Sequence, residues 1–358
     1  LTAIVCECRF ATQSTGETRV YRASTRSYGR SNTIFPTAGP VLARSQFCPE
    51  PPRANQSLHR IVNTIPLKRL VLRYPRIHKN TRYGLVLLVN SATNETAERN
   101  EIRRQWANQD ESIMQNSGKS LVIFVVGRSS QLEEESDTFG DLLQFDIEDT
   151  YRNLVYKIEA GLRWIKAKVD SEFVAKIDSD TAVHIDRLYS AVRRYEKERR
   201  DLWIACYSFP DSKPVRDTCS PWYISKEDYP LEYFPPYCNG PGYAMNRQLF
   251  DNIVKRMKKH KVFEVEDAFI TGIVASDIGD ITMMQDVASP EYAEMTDCDT
   301  NGPALSILST HNELDRGTKS SKNITSVWNL LKTAKCPEIR LYGSTDKPVN
   351  IRSSTRTF

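Results

Sequence analysis

No stretch of this chain is apolar enough to cross a bilayer: the longest runs, Leu85 to Val89 and Leu121 to Val126, fall far short of the roughly 18 residues a span needs. None of the eight cysteines (Cys6, Cys8, Cys48, Cys206, Cys219, Cys238, Cys298, Cys336) sits in a C-x-x-C pair, which excludes the usual zinc and thioredoxin-like spacings. The cysteines from Cys206 onward fit disulfides in an oxidising lumen at least as well as buried thiols. Internal repeats are absent. The first residues lack the basic, apolar, small-residue order of a secretory signal, and the chain opens on Leu1, so a targeting segment is expected to be missing from it. With 358 residues, 40% of them apolar and 26% charged, what remains is an ordinary globular chain with core enough for one large domain or two small ones.

The net charge of +4 conceals an asymmetry, because 14 of the 17 charged residues before Tyr83 are basic while the remainder of the chain, with 35 Lys/Arg against 42 Asp/Glu, is slightly acidic. This basic segment, rich in Ser, Thr, Arg and Pro, shows no sustained hydrophobic period. It reads as a stem or linker over residues 1–82, a solvated tether facing anionic head groups rather than a nucleic-acid-binding arm. Sequons at Asn55, Asn94 and Asn323 are a weak signal on their own.

Order is expected from Tyr83. Leu85–Val89 and Leu121–Val126 have the pattern of strands buried on both faces. Ala97 to Ala107, with Ile102 and Trp106 four apart, reads as a helix crossing between them. A short strand near Leu142–Phe145, a long helix from Tyr151 to about Val169 with one apolar stripe (Leu154, Ile158, Leu162, Ile165, Val169), and a strand over Phe173–Ile177 continue the alternation. This order predicts an α/β fold with a mostly parallel sheet flanked by helices, and ligands at the carboxyl ends of the strands. The expected division is a stem (1–82), one catalytic domain (83–345) and a C-terminal tail (346–358).

At the end of the last of these strands stands Asp178-Ser179-Asp180. Two carboxylates two residues apart on an extended segment point the same way and could share one cation, although a solvated surface turn would read the same. Glu266-Asp267 opens the apolar stretch Ala268–Val274, where capping explains one carboxylate of the pair and leaves the second to be accounted for. Cys238-Asn-Gly-Pro-Gly-Tyr243 places Gly240 and Gly242 around a proline, where backbone turns sharply or approaches a ligand.

Taken in order, these blocks resemble the inverting β-1,3-glycosyltransferases that include β-1,3-galactosyltransferases and β-1,3-N-acetylglucosaminyltransferases. Arg99-Asn-Glu-Ile-Arg-Arg-Gln-Trp106 is similar to their R-x-x-I-R-x-[ST]-W, Phe124–Gly127 to F-x-x-G, and Asp146–Lys157 to D-F-x-D-x-Y-x-N-L-T-x-K. Lys176-Ile-Asp-Ser-Asp180 stands where they have K-x-D-D-D, with Ser179 at the middle aspartate. Pro236–Tyr243 resembles P-x-Y-x-x-G-x-G-Y, and Glu266–Gly272 resembles E-D-V-x-x-x-G. Together they cover about 83 to 328.

The resemblance implies a single GT-A-type, Rossmann-like domain that transfers a hexose, galactose before N-acetylglucosamine, from a UDP-sugar to a glycan acceptor on a glycoprotein or glycolipid. It implies Golgi residence with the catalytic domain lumenal, a membrane link only through an anchor outside this chain, and no nucleic-acid partner. Asp178, Asp180 and His311 would hold Mn2+, with His311 equally readable as a surface residue. Asp267 would be the catalytic base. Arg99, Arg103, Trp106, Lys176 and Ser179 would help hold the donor, Trp106 being as readable as core and the two arginines as an exposed face. Glu266, Gly240, Gly242, Tyr243, Trp222 and Tyr223 would meet the acceptor, the last two being also readable as packing. The alternative is a catalytically silent sugar- or nucleotide-binding relative that partners active transferases.

Overall fold

A computed structural model describes residues 48–198, 201–285, 287–289, 306–310, 323–333 and 349–351. In it Tyr83 to Val89 are buried one after another, so the strand that carries them, Arg82–Asn90, has no solvent face and must lie inside a sheet. In chain order the elements are α1 (Gln56–Thr64), β1 (Val71–Arg73), β2 (Arg82–Asn90), α2 (Thr96–Arg104), α3 (Ile113–Asn116), β3 (Ser120–Val126), α4 (Glu133–Phe139) and β4 (Leu142–Phe145). They continue with α5 (Leu154–Lys168), β5 (Asp170–Asp178), β6 (Thr181–Val183), α6 (Ile185–Glu198), β7 (Leu202–Phe209), β8 (Tyr237–Asn246) and α7 (Arg247–Arg256). A π-helix (Ala268–Val274), β9 (Ile281–Met284), β10 (Ala288–Ser289), β11 (Ile307–Ser309), α8 (Ile324–Thr333) and β12 (Val349–Ile351) complete the set.

The large sheet runs β1-β4-β3-β2-β5-β8-β7-β9-β12. Its heart, β4-β3-β2-β5, is parallel, as the helical crossovers demand, and β8 then joins β5 antiparallel. A small sheet, β10-β11-β6, lies beside the end of β5. One face of the large sheet packs on α5, α7 and the π-helix through Val86, Leu88, Ile158, Phe250 and Phe269. The other packs on α2, α6 and α8 through Leu85, Leu87, Ile102, Leu188 and Trp328.

The fold reaches further toward the N-terminus than the expected boundary at 82/83. The compact unit starts at Pro49, β1 pairs with β4, and α1 packs on α5, where His59 Nδ1 lies 2.9 Å from Glu159 Oε2 and Val62 is fully buried. The short apolar period of α1 is diluted by Gln, Ser, His, Arg and Asn, which is why the composition hides it. At the other end, β12 lies in the expected tail and pairs with β9. Helix α5 is also buried more widely than one stripe, because Lys157 and Glu159 enter the interior with partners: Lys157 Nζ is 2.7 Å from Asp149 Oδ1. No described helix is long and apolar enough to cross a membrane.

Two of the cysteines resolve into a bond. Cys206 on β7 and Cys238 on β8 form a disulfide across 32 residues of chain. Closing a loop of that length stabilises by about 3 to 4 kcal/mol in the chain-entropy model, so replacing both cysteines by Ala should lower the melting temperature by on the order of 5 °C. An unchanged calorimetric melt would remove the bond from the account.

Candidate active site

The end of β5 lies beside the end of β2, with Asn90 paired to Asp178 and donating from its side chain to Asp178 Oδ1 at 3.2 Å. After Asp178 the chain turns at once, through Ser179 and Asp180, into β6. The two aspartates therefore flank a turn rather than sharing the face of an extended strand. The turn is held from two sides. Ser179 Oγ donates to Glu95 Oε2 at 2.8 Å, and Thr310 N–H, at the end of β11, donates to the Asp180 carbonyl at 3.0 Å. His311 lies outside the described residues.

A buried ammonium group organises the floor. Lys176 is 1% exposed, and its three N–H donors face Asp178 Oδ1 at 2.7 Å, the Gly240 carbonyl at 2.7 Å and Glu266 Oε2 at 3.4 Å. Burial works against its charge, but Asp178 and Glu266 hold its pKa above the ordinary lysine value. The other oxygen of Glu266 accepts from the buried Tyr243 hydroxyl at 2.7 Å. Lys176, Glu266 and Tyr243 are thus fully engaged with one another. The expectation that Lys176 holds the donor and that Glu266 and Tyr243 meet the acceptor is replaced by a positioning role, because each polar group already has a buried partner.

Asp267 is fixed differently. Its Oδ1 accepts from Ala268 N–H at 2.7 Å, while its backbone carbonyl takes the Thr271 hydroxyl at 2.6 Å, and Thr271 in turn accepts from Cys238 N–H on β8 at 2.9 Å. The helix that follows is a π-helix with all seven residues buried, a geometry that recurs at functional sites. Burial, then the negative charge of Glu266, raises the Asp267 pKa to about 7, against the pull of Ala268 N–H and Lys176.

The gap between the two acidic elements is closed by a glycine. A Cβ at Gly240 would stand 3.3 Å from Asp267 Oδ2 and 3.8 Å from Asp178 Oδ2, so the two carboxylates face one another across Gly240, separated by no more than the sum of those distances. Gly240→Ala should fold, since only a side-chain oxygen must give way, yet its methyl group would fill the space between the two carboxylates. Any activity that uses this space should fall by about tenfold or more with the melting temperature near wild type; full activity would show that nothing reacts there. Gly242 has a different reason to be glycine. A Cβ there would meet Ile307 at 2.9 Å and Ile177 at 3.1 Å, which makes it a packing position and not an acceptor contact.

Several other expected ligand residues prove to be scaffold. Arg99 is fully buried and spends every donor inside the protein: on Glu135 (2.7 Å to each oxygen), Ser91 Oγ, the Ala92 carbonyl and Thr96 Oγ1. Arg103 grips Asp141 with two bonds of 2.8 Å and also reaches Glu135 and Asn100. Arg99 thereby shapes the loop after β2 and has no donor left for a diphosphate, while Arg103 is turned toward Glu135 and Asp141, in α4 and just before β4. Trp106 is core. Ser179 ties the turn to Glu95 as described. Tyr223 donates to Glu50 Oε1 at 2.6 Å, whereas Trp222 keeps 43% of its surface exposed. Asp178, Asp180, Asp267, Gly240 and Trp222 remain as groups that can face a ligand.

Residues outside the expected set complete the frame. Asp149 accepts from Thr93 N–H at 2.7 Å and Gly127 N–H at 3.3 Å, and Lys157 links Asp149 to the Ser91 carbonyl at 2.8 Å. Both lie within the D-x-x-D-x-Y-x-N-L-x-x-K block, so the spacing marked them, but only the contacts show that they clamp the loops after β2 and β3. Two aspartates on one turn are hard oxygen donors that suit a divalent cation completed by water and phosphate oxygens. Among the described residues no three His, Cys, Asp or Glu side chains form a closed metal cage.

The family model described as galactosyltransferase matches residues 97–285. Human beta-1,3-galactosyltransferase 5 is 30% identical over 194 residues, 52% of this chain and 61% of that protein. Caenorhabditis elegans beta-1,3-galactosyltransferase bre-2 is 30% identical over 220 residues (58% and 61%), and mouse beta-1,3-galactosyltransferase 1 is 27% identical over 218 (59% and 65%). The chain therefore spans less than two thirds of the length of these curated relatives. Among solved structures, the mannosyltransferase PcManGT from Pyrobaculum calidifontis in complex with GDP-Man and Mn2+ overlaps 55% of this chain and 52% of its own, at 15% identity and a TM-score of 0.28.

Proposed function

The chain belongs to the galactosyltransferase family, whose model spans more than half of its residues, and on that footing we propose that it is a manganese-dependent, inverting β-1,3-glycosyltransferase. It moves a hexose, galactose in the first place, from a UDP-sugar to a hydroxyl of an acceptor sugar on a glycoprotein or glycolipid. The observation that carries this reading is the confrontation of Asp178 and Asp267 across Gly240. A disulfide between Cys206 and Cys238 suits the oxidising Golgi lumen in which such chemistry runs.

The division of labour follows from the two environments. Asp178 and Asp180 would hold a divalent cation, which would supply positive charge for the departing diphosphate. Asp267 Oδ2 accepts the proton of the acceptor hydroxyl while that oxygen bonds to the anomeric carbon and the carbon–phosphate oxygen bond breaks, its electron pair leaving with UDP. One base on the face opposite the leaving group is what inversion requires. Lys176 keeps Asp178, the Gly240 carbonyl and Glu266 in fixed register, so the cation end and the base end cannot drift apart.

The full chain incubated with manganese, UDP-galactose, UDP-N-acetylglucosamine and a panel of sugar acceptors should yield a product one hexose heavier by mass spectrometry. UDP binding without donor hydrolysis or transfer would instead favour the silent binding relative. Asp180→Ala should weaken manganese-dependent UDP binding by about tenfold or more in calorimetry, since half of the protein's carboxylate ligation is gone. Unchanged manganese affinity would count against the site.

A further inference from the structure

The loop between β7 and β8 is long, and it is built rather than slack. Arg216 donates to four backbone carbonyls within it, those of Ile224, Ser225, Tyr229 and Leu231. That framework presents Trp222 at the surface. Opposite stands Tyr151, at the entrance to α5, 49% exposed although its neighbours are fixed: Asp149 by Lys157, and Arg152 by a 3.1 Å bond to Glu264, three residues before Asp267. Arg152 and Tyr223, the residues beside these two aromatics, line one small cleft, which brings the loop and the helix entrance together. Trp222 interacts with the Tyr151 hydroxyl, the indole N–H being the donor, and the charges of Asp267 and Asp178 reach the same phenol.

Two large aromatic rings held half-exposed at the rim of an acidic site cost solvation and earn nothing for the core. Rings of this kind suit the C–H face of a pyranose, with a polar tip left to read one hydroxyl. Because the indole N–H can only donate, the Tyr151 oxygen accepts from it and its own O–H proton is free to be given elsewhere.

We propose that Tyr151 and Trp222 form the acceptor platform, stacking on the C–H face of a terminal pyranoside while the Tyr151 O–H donates to one of its hydroxyls and so presents the next hydroxyl to Asp267. This rests on the transferase reading above and names a residue, Tyr151, that the reading did not include. The desolvated surroundings of the Tyr151 hydroxyl disfavour phenolate, so the group stays a donor at neutral pH.

Tryptophan fluorescence gives a direct test. Of the five tryptophans in the chain, Trp106, Trp164, Trp203 and Trp328 are all but fully buried, so a sugar that stacks on the surface reports through Trp222. The full chain, with UDP and manganese present, is titrated with methyl β-galactoside and methyl β-N-acetylglucosaminide. A saturable fluorescence change with at least one of them is expected, lost in Trp222→Phe and shifted about tenfold toward weaker binding in Tyr151→Phe. In transfer assays Tyr151→Phe should raise the acceptor KM by a similar factor and leave the donor KM unchanged. No saturable change in the wild type, a change that persists in Trp222→Phe, or an effect of Tyr151→Phe on the donor KM alone would overturn the proposal. Because the titration needs no turnover, a protein that binds the glycoside without transferring sugar would fail the transferase reading and keep the platform.

Discussion

Asp267→Asn should leave UDP binding close to wild type while transfer falls by about a thousandfold. The substitution keeps the size of the side chain, and an amide oxygen can still accept from Ala268 N–H, so the helix start survives. What is lost is the basic oxygen that faces Gly240. General-base catalysis by a positioned group contributes roughly 10²- to 10⁴-fold, which sets the expected drop. The same argument fixes the pH dependence. With its pKa raised to about 7 by burial and by Glu266, Asp267 is a working base only above that value. Transfer should therefore level off above about pH 7 and fall roughly tenfold per unit below it. An acidic limb centred near pH 4, or substantial turnover by the Asn variant, would move the base elsewhere.

Lys176→Met should cost the fold itself about 3 to 5 kcal/mol, and activity with it. Removing the ammonium leaves Glu266, which is buried, and Asp178 beside it without their counter-charge, and removing one partner of a buried ion pair is far more costly than replacing the pair. The Gly240 carbonyl loses its donor in the same step. If this is the origin of the loss, Glu266→Gln introduced on top of Lys176→Met should recover part of the stability, because it removes the stranded charge. Strictly additive melts for the two changes would mean that Lys176 and Glu266 do not act as one unit.

The sheet was the most legible feature. Runs such as Leu85–Val89 and Leu121–Val126 can only be buried strands, and the helical stretches between them dictate parallel crossovers, as observed. Antiparallel insertion of β8 beside β5 was not legible, since register across 60 or so residues leaves no local mark. At the site, residue type and spacing drew attention to Asp178, Asp180, the Glu266-Asp267 pair and Gly240, while the roles proposed for them come from the family resemblance. The same resemblance misassigned Arg99, Arg103, Lys176, Glu266 and Tyr243. A charged residue in a motif looks the same in sequence whether it meets a ligand or a buried partner, and here Glu135, Asp141 and Asp178 are those partners. Tyr151 was passed over for the converse reason: a tyrosine at a helix entrance carries no sign of which carboxylates will lie near it.

The central claim is that a single base, Asp267, facing Asp178 across Gly240, takes the proton of an acceptor hydroxyl, while Asp178 and Asp180 would hold the donor's diphosphate through a divalent cation. It is tested most directly by the stereochemistry of the product. With UDP-α-galactose as donor, proton NMR of the purified product should show a new β linkage, the outcome of one displacement opposite the diphosphate. A product with the α configuration would require retention, which one base placed in this way does not give, and would contradict the account.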